Sequence, residues 1–326
     1  MAPRMTSRER ILAAVRGEPV DRAPFAVWRH FYPDEADARS LAAATVAFTR
    51  RFELDLVKYN PRADYHAEPW GTRTEYRGSE KPTLVRYAVE RPEDWARIDR
   101  RGIDEPAFAE LLEGMRLVRA ELGDIPIVAT IFTPLAVLQR MSGIDRVTTD
   151  MRERPELVLA ALAAVAETFR ALAAACCEIA DGIFLATTGW ATRATSDADY
   201  ARFGVPYDRR VLEGAHGAPL NVLHVCADRA RVLELGAAYA DIAAVSWSVY
   251  GRENPSLDAF LAAVPGPAAV GGLSDGALLD PTGDATAAEA RLGLRVTGGR
   301  RWICAGSCTI PVDSRPESID AARRSL

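Results

Sequence analysis

His224 and Cys226 stand two residues apart near the end of an apolar segment, and Cys308 follows the last apolar segment of the chain. On an extended strand, residues i and i+2 point to the same face, so the imidazole and the first thiol leave the strand together. One imidazole and two thiolates are typical zinc ligands, and three protein ligands leave a fourth position open for a reacting group. The alternative is that His224 and Cys226 fill the core, where free cysteine packs well.

Composition excludes several classes of function. The 326 residues are 48% hydrophobic and carry a net charge of −5, whereas a nucleic-acid-binding surface would be basic. We find no run of roughly 18 uninterrupted apolar residues and expect no membrane span. The polar N-terminus does not resemble a secretory signal. Five cysteines without disulfide-framework spacing favour a reducing, cytoplasmic location.

Short, nearly continuous apolar segments alternate with helical patterns, which predicts a parallel sheet with crossover helices. The clearest helical pattern covers 155–179. Eight such units predict an α/β fold, a (β/α)₈ TIM barrel formed as a single domain over 1–326. A doubly wound sheet is the alternative, but no G-x-G-x-x-G follows the first strand. The predicted strands are 24–28, 54–58, 125–131, 182–187, 219–225, 242–247, 266–272 and 301–304.

Local patterns add three further predictions. Thr6 with Glu9, and Ser314 with Glu317, have the spacing of helix-starting capping boxes. The polar segment 72–100 departs from the repeat and predicts a hairpin insertion after the second strand, which would serve as a lid or a subunit contact.

Barrel active sites lie at the carboxyl ends of the strands, so residues distant in sequence meet there. His30, Arg29 and Asn60 follow the first two strands and are the candidate catalytic residues. His30 would act as a general acid or base or as a hydrogen-bond donor, or would be merely structural. Arg29 would bind a carboxylate or pair with Glu68. Candidate substrate-binding aromatics, for which core packing is the alternative, are Trp28, Tyr65, Trp190, Tyr207 and Trp247.

Other chemically active residue types receive structural predictions. His66 and His216 are predicted to have surface roles, and Cys304 is predicted to be buried packing. Asp228 would cap the following helix or orient His224. A fourth metal ligand is an open question, for which Glu253 is a candidate. The adjacent cysteines at 176–177 lie on a long apolar helix and are predicted to pack in the core.

Four segments carry a resemblance that spans nearly the whole chain. They are RERILAAVRGEPVDRAPF, DLVKYNPRADYHAEPWG, GVPYDRRVL before NVLHVC, and the closing GGRRWICAGSCTIPVDSRPES. This chain resembles the uroporphyrinogen decarboxylase superfamily, especially its zinc-dependent methyltransferase branch. Methyltransferases of this group move a methyl group from a corrinoid to a thiol and bind zinc through a His-x-Cys pair and a distant Cys. Matched residue by residue, those ligands fall on His224, Cys226 and Cys308.

The resemblance also implies cofactors and partners. These are Zn²⁺, a corrinoid such as methylcobalamin that arrives free or on a partner protein, a small thiol or methylated substrate, and a homodimer. The decarboxylase itself uses an Arg-x-x-x-Arg segment after the first strand and an Asp after the second. This chain has a single Arg there, Arg29, and Asn60 at the Asp position, so a macrocycle with eight carboxylates would lack a basic cradle. The family often has Gly after the His-x-Cys pair, where this chain has Ala227.

These observations predict a zinc-dependent methyltransferase, or a demethylase component, that moves a methyl group to a zinc-activated thiol. Two alternatives stay open. One is a metal-independent decarboxylase or lyase that acts on an organic acid through His30, Arg29 and Asn60. The other is a barrel without catalytic activity that binds a corrinoid protein.

Overall fold

Eight parallel strands form one sheet in the computed structural model, which describes residues 4–78, 80–192 and 195–326. The strands of the chain are β1 (Phe25–Ala26), β2 (Val57–Tyr59), β3 (Arg73–Arg77), β4 (Glu80–Arg86), β5 (Ile127–Phe132), β6 (Gly182–Ala186), β7 (Val222–Val225), β8 (Ala244–Trp247), β9 (Ala268–Leu273) and β10 (Trp302–Gly306). The sheet order is β1-β10-β9-β8-β7-β6-β5-β2. Asp55 N donates to Phe25 O across 2.9 Å, so the two end strands meet and the barrel is nearly closed. The predicted TIM barrel is confirmed.

Helices follow the strands and cover the outside of the barrel, as crossover connections require. They are α1 (Ser7–Val15), α2 (Ala38–Arg51), α3 (Pro106–Leu122), α4 (Pro134–Ser142), α5 (Ile144–Glu153), α6 (Pro155–Cys177), α7 (Asp197–Phe203), α8 (Val205–Leu212), α9 (Val232–Ala238), α10 (Leu257–Ala263), α11 (Asp275–Leu278), α12 (Asp284–Thr297) and α13 (Pro316–Arg324).

Side chains alternate between two cores along each strand. Outward-facing residues pack against the helices, whereas inward-facing ones such as Val222, Ala244 and Ile303 form a separate cluster inside the barrel. Ile11 and Val15 of α1 belong to the inner cluster, so α1 closes the amino-terminal end of the barrel. The interior is therefore filled at that end.

The insertion after β2 forms the predicted hairpin. β3 and β4 pair antiparallel as a two-stranded sheet outside the barrel. The Tyr76 hydroxyl donates to Ala63 O at 3.2 Å, which ties the hairpin to the loop that follows β2. That the hairpin acts as a lid or a subunit contact remains a prediction.

The long apolar helix α6 contacts β5, β6 and α8. By length and composition it could cross a membrane, but half of its most apolar window is buried inside the protein. A mostly buried core helix can meet the same criterion of length and apolar composition, so this helix alone is weak evidence of a membrane span. Cys176 on α6 and Cys304 on β10 are buried as predicted, whereas Cys177 is only partly buried.

The two predicted helix caps have different outcomes. The Thr6 capping box is present, with the Thr6 side chain accepting from Glu9 N and the Glu9 side chain accepting from Thr6 N. The Ser314 box is wrong, because α13 begins one residue later, with Arg315 as N-cap and Pro316 at the first helical position. A residue before proline is disfavoured in the α region, which keeps Arg315 extended (φ −76°, ψ 129°) and outside the helix.

Candidate active site at the barrel mouth

The carboxyl ends of β2, β5, β6 and β7 surround a cavity of about 250 Å³. His224, Cys226 and Cys308 line it together with His30 and Asn60. This volume lies below the roughly 300–1,000 Å³ that is typical of drug-sized ligand pockets. The cavity therefore suits a small molecule.

The backbone presents the three candidate ligands from two places, the end of β7 and the loop after β10. His224 lies on β7 opposite Ala186 of β6 and Ser246 of β8. Cys226 follows β7, and its N–H donates to Thr187 Oγ1 at 3.2 Å. Cys308 lies in the loop after β10, where Ile310 N donates to Trp28 O at 2.8 Å.

Glycine at position 306 lets the Cys308 loop fold back closely on itself. A Cβ added at Gly306 would lie 2.7 Å from Ile310 Cγ2, closer than side-chain contacts allow. A larger residue would displace the loop that carries Cys308.

Residues 82 apart in sequence thus meet at one point. One ligand atom from each of His224, Cys226 and Cys308 lies within 4.8 Å of the others. Two sulfurs on a tetrahedral zinc, each at about 2.3 Å from the metal, are about 3.8 Å apart, so the trio needs only a small contraction. Soft thiolate and imidazole donors are the set that zinc prefers.

The His224 ring is oriented by its neighbours. Its Nδ1 lies 3.1 Å from Ser246 Oγ, and the ring stacks on Phe184 with centroids 5.2 Å apart. If Nδ1–H donates to the hydroxyl, Nε2 carries the free lone pair. Nε2 is buried and has no hydrogen-bond partner among the described residues. An unpaired buried acceptor beside two thiols fits a metal ion, because a metal would satisfy it.

The pKa values of the two thiols shift in opposite directions. A hydrogen bond with Cys226 lowers the pKa of Cys308 well below its ordinary value, and the positive charge of Lys58 lowers it further. The same hydrogen bond raises the pKa of Cys226. Cys308 is therefore the thiol that more readily becomes the thiolate, the form of cysteine that binds metals.

Lys58 and Asn60 point into the cavity from β2 and its end. Lys58 Nζ donates to Asn60 Oδ1 at 2.5 Å and lies 4.9 Å from the centre of the Phe184 ring. Burial lowers the pKa of Lys58 to about 8. Below that pH the group is an ammonium, so the cavity contains a buried positive charge.

His30 faces the cavity in contact with a buried acid. Its Nδ1 lies 2.6 Å from Glu35 Oε1, and Glu35 is fully buried. Glu35 also accepts from Phe31 N and Ala63 N, at 3.1 and 3.2 Å. Because Glu35 occupies Nδ1, Nε2 is the His30 atom available to a bound molecule.

Tyr65 and His66 line the wall opposite β7. The Tyr65 hydroxyl donates to Thr130 O at 2.5 Å, so its polar atom is already used. His66 stacks on Phe132 with centroids 4.0 Å apart, and burial lowers its pKa to about 4. His66 is therefore neutral near pH 7. The predicted surface role of His66 is wrong, whereas His216 is exposed and lies beside Asp241.

Two candidates lie just outside this cavity. Arg29 and Trp28 line a small adjoining space between β1, β2 and α2, and Lys58 and Asn60 line both spaces. Arg29 Nε donates to His30 O, and burial lowers its pKa. Its predicted pairing with Glu68 is wrong, because Arg62 binds that carboxylate. Trp28 packs edge-on against Phe184, so it supports the cavity wall from behind.

Three candidate aromatics lie farther away. Trp247 faces outward from β8 because its neighbour Ser246 faces inward, and it packs on Phe260 with its Nε1 donating to Pro255 O. Tyr207 is half-buried on α8 against the outer core. Trp190 lines an adjacent groove that meets the cavity at Gly189. Trp247 and Tyr207 therefore do not line the cavity.

The two predictions for the metal surroundings are also wrong. Asp228 Oδ1 accepts from Arg252 N at 3.0 Å and touches neither His224 nor α9, whose N-cap is Arg231. Glu253 is half-exposed and pairs with Arg229. The loop after β7 thus binds the loop after β8 instead of supporting the imidazole.

Sequence reasoning assigned no role to three residues of the site: Lys58, Glu35 and Ser246. Lys58 has a sequence signal, since a lysine inside a predicted buried strand needs an explanation. Glu35 and Ser246 have none, because their roles depend on tertiary contacts.

Comparisons with known proteins match most of the chain. The family model described as uroporphyrinogen decarboxylase matches residues 6–325. The methylcobamide:CoM methyltransferase MtbA of Methanosarcina acetivorans is 22% identical over 247 residues, 71% of this chain and 73% of that protein. Its counterpart in Methanosarcina mazei is 22% identical over 68% of this chain and 70% of that protein.

Solved structures are similar in fold. A methyltransferase from Methanosarcina mazei superposes with a TM-score of 0.85 at 19% identity and covers 98% of both chains. A B12-independent methionine synthase from Shewanella sp. W3-18-1 superposes with a TM-score of 0.60 at 12% identity and covers 94% of both chains.

Proposed function

This chain belongs to the uroporphyrinogen decarboxylase family, and from that membership we propose that it is a zinc-dependent methyltransferase that methylates a thiol. One observation carries the proposal: the ligand atoms of His224, Cys226 and Cys308 lie within 4.8 Å of one another on the cavity wall. The matched relatives named as methylcobamide:CoM methyltransferases support the reaction class.

His224, Cys226 and Cys308 would hold the metal, and Ser246 would keep the imidazole oriented through Nδ1. When bound, zinc supplies the positive charge that keeps an acceptor thiol deprotonated and nucleophilic at neutral pH. The transfer forms a sulfur–methyl bond while the bond from the methyl group to its donor breaks, and the electron pair stays on the donor.

The remaining cavity residues bind, orient and exclude water. Phe132 and Phe184 supply apolar wall, and neutral His66 adds a stacked ring without charge. His30, whose Nδ1 is engaged by Glu35, presents Nε2 to the bound molecule. Such a preformed small site contributes chiefly by positioning the acceptor sulfur.

The size of the cavity separates the two substrates. About 250 Å³ accommodates a small thiol but not a corrin macrocycle, so a corrinoid donor would dock over the mouth with only its methyl group directed inward. The donor would arrive free or on a partner protein. A homodimer and a cytoplasmic location remain part of the proposal.

The test is metal analysis of protein purified anaerobically, combined with methyl transfer from methylcobalamin to 2-mercaptoethanol. We expect stoichiometric zinc in the wild type, and loss of zinc and turnover in His224→Ala and Cys308→Ser. Cys177→Ser is the matched control, because Cys177 lies on α6 away from the cavity and should change neither.

The alternatives give different results. Decarboxylation of an organic acid that survives chelator would replace the proposal with the metal-independent enzyme. That reading has less support, because Arg29 does not line the cavity that holds His30 and Asn60. Folded zinc-free protein that binds a corrinoid protein without turnover would indicate the binding subunit.

A further inference from the structure

The outer face of α12 carries an apolar stripe. Leu292 and Val296 are 43% and 41% exposed and lie one turn apart, and the exposed Ala285 and Ala288 continue the stripe toward the start of the helix. The opposite face of α12 is buried against the barrel. A surface helix normally carries polar or charged residues on the side away from the core, so this stripe requires a reason.

The surface beside the stripe is open to close approach. The neighbouring helix α10 contacts α12 and also exposes three alanines, Ala259, Ala262 and Ala263. α12 is 14 residues long, which is about 21 Å. With helix axes about 10 Å apart, α10 and α12 together present a face of about 400 Å². Apolar patches of a few hundred Å² are often functional in soluble proteins.

Two opposite charges lie at one edge of the α12 stripe. Asp284 and Arg295 are both exposed and stand eleven residues apart, which is about three helical turns, so their side chains leave α12 on the same side. Arg291, one turn before Arg295, donates to Ser325 Oγ at 3.3 Å, so this edge faces α13. The edge therefore has an acid near the start of the helix and a base near its end.

The stripe is complementary to itself in size. A two-fold axis perpendicular to α12 near its residue 290 would pack two copies antiparallel, with positions at equal distances from the axis opposite each other. Leu292 would then lie against Ala288 of the second copy, and Val296 would lie against Ala285. Large side chains therefore meet small ones along the whole contact.

The charges fit the same arrangement. This two-fold axis keeps the α13 edge of one copy beside the α13 edge of the other, so Arg295 would reach Asp284 of the second copy. The axis repeats every contact, so the dimer would contain two such ion pairs.

We propose that the α12 stripe binds a second copy of this chain across a two-fold axis. The proposal names a surface for the homodimer that is part of the proposed function, and it does not depend on methyl transfer. Helices of such a barrel run opposite to its strands, so antiparallel α12 helices point the two mouths in opposite directions and leave both open. About 400 Å² per copy is half of a standard interface, so the dimer should dissociate on dilution.

Sedimentation velocity of the full-length protein over about 1 to 200 μM tests the interface. We expect the average mass of the wild type to rise from the monomer toward the dimer. Leu292→Glu would bring two like charges to the centre of the contact, so the association constant should fall at least about 10-fold. Ile103→Glu is the matched control, because Ile103 is 41% exposed in the loop before α3 and should leave association unchanged.

Charge reversal tests the predicted register. Asp284→Arg would place arginines opposite each other, and Arg295→Asp would place acids opposite each other. Each single variant should therefore associate about 3- to 10-fold more weakly than the wild type. The double variant restores opposite charges with their positions exchanged and should recover most of the affinity.

A wild type that stays monomeric at every concentration would overturn the proposal. A dimer that Leu292→Glu does not weaken, or a double reversal that associates no better than the single variants, would overturn it as well. Failure of the proposed function is distinguishable, because monomeric Leu292→Glu should keep the zinc content and methyl transfer of the wild type. If the wild type dimerises through α12 but methylates no thiol, the function is wrong and the interface stands.

Discussion

The buried side chains of Asp55 and Asn221, at the amino-terminal end of the barrel, have protein partners, whereas several buried polar atoms in the cavity at the carboxyl-terminal end have none among the described residues. Asp55, just before β2, accepts from Arg10 at 2.7 Å, from Arg22 at 2.6 Å and from Phe25 N at 2.9 Å. Before β7, Asn221 accepts from Ile183 N and donates to Ala215 O.

At the other end, Asn60 Nδ2, His66 Nδ1 and His224 Nε2 are buried without partners among the described residues. Lys58 has a single hydrogen bond there, to Asn60 Oδ1. Native proteins satisfy nearly all buried polar atoms, so a cluster of exceptions within one cavity requires a reason. The paired groups at the amino-terminal end stabilise the fold. The buried groups without hydrogen-bond partners at the carboxyl-terminal end are available to bind ligands.

The largest expected effect is on stability at the amino-terminal end. Asp55→Ala should lower the free energy of unfolding by about 3–5 kcal/mol, because it leaves two guanidinium groups without their buried partner. Lys58→Met, at the mouth, should leave this free energy unchanged or raise it, since it removes a buried ammonium that makes a single hydrogen bond. Urea denaturation of both variants measures the contrast.

An exposed ion pair is the control for that contrast. The ion pair between Asp320 and half-exposed Arg51 should contribute less than about 1 kcal/mol to the free energy of unfolding. Urea denaturation of Asp320→Asn measures this contribution. If Lys58→Met were as destabilising as Asp55→Ala, the two ends would not differ in the way described.

A smaller effect is expected at Ser246. Ser246→Ala removes the acceptor for His224 Nδ1–H, and we expect zinc affinity to fall about 10- to 100-fold while the fold is retained. Competition with a chromophoric chelator measures the affinity. Ser142→Ala is the control, because Ser142 is equally buried but bonds to Leu138 O in α4. Unchanged affinity in Ser246→Ala would remove this serine from the site.

The smallest effect is expected in the loop after Cys226. Ala227 has φ +82°, the left-handed region that costs a residue with a Cβ about 1–2 kcal/mol. Glycine relieves this strain but loses more entropy on folding, by about 0.5–1 kcal/mol, so Ala227→Gly should stabilise by about 0.5–1 kcal/mol. Thermal denaturation measures the gain, and a destabilised variant would contradict the strain. The glycine that the family often has at this position fits the observed backbone.

The fold and the proximity of His224, Cys226 and Cys308 were predictable because they follow from sequence pattern. Eight apolar segments alternating with helices specify the barrel, and the His-x-Cys spacing places two side chains on one face of β7. The register between strands was not predictable, and it decides which aromatics face the cavity. Once His224 faces inward, its neighbour Ser246 does too, and Trp247 must face outward.

The remaining site residues depend on tertiary contacts that the sequence does not encode locally. His66 was misassigned because a polar segment, Tyr-His-Ala-Glu, suggests a surface loop, yet its ring stacks on Phe132. Glu35 acquires its role only when the loop after β1 folds back over His30.

The α1 helix, whose Ile11 and Val15 fill the floor of the barrel, leaves the mouth as the route to the cavity. In the proposed reaction, a corrinoid seated over that mouth would obstruct the passage of the acceptor. Kinetics should therefore be sequential and ordered. The thiol would bind before the donor, and the methylated product would leave after the spent donor has left. Excess donor would then act as an inhibitor competitive with the thiol.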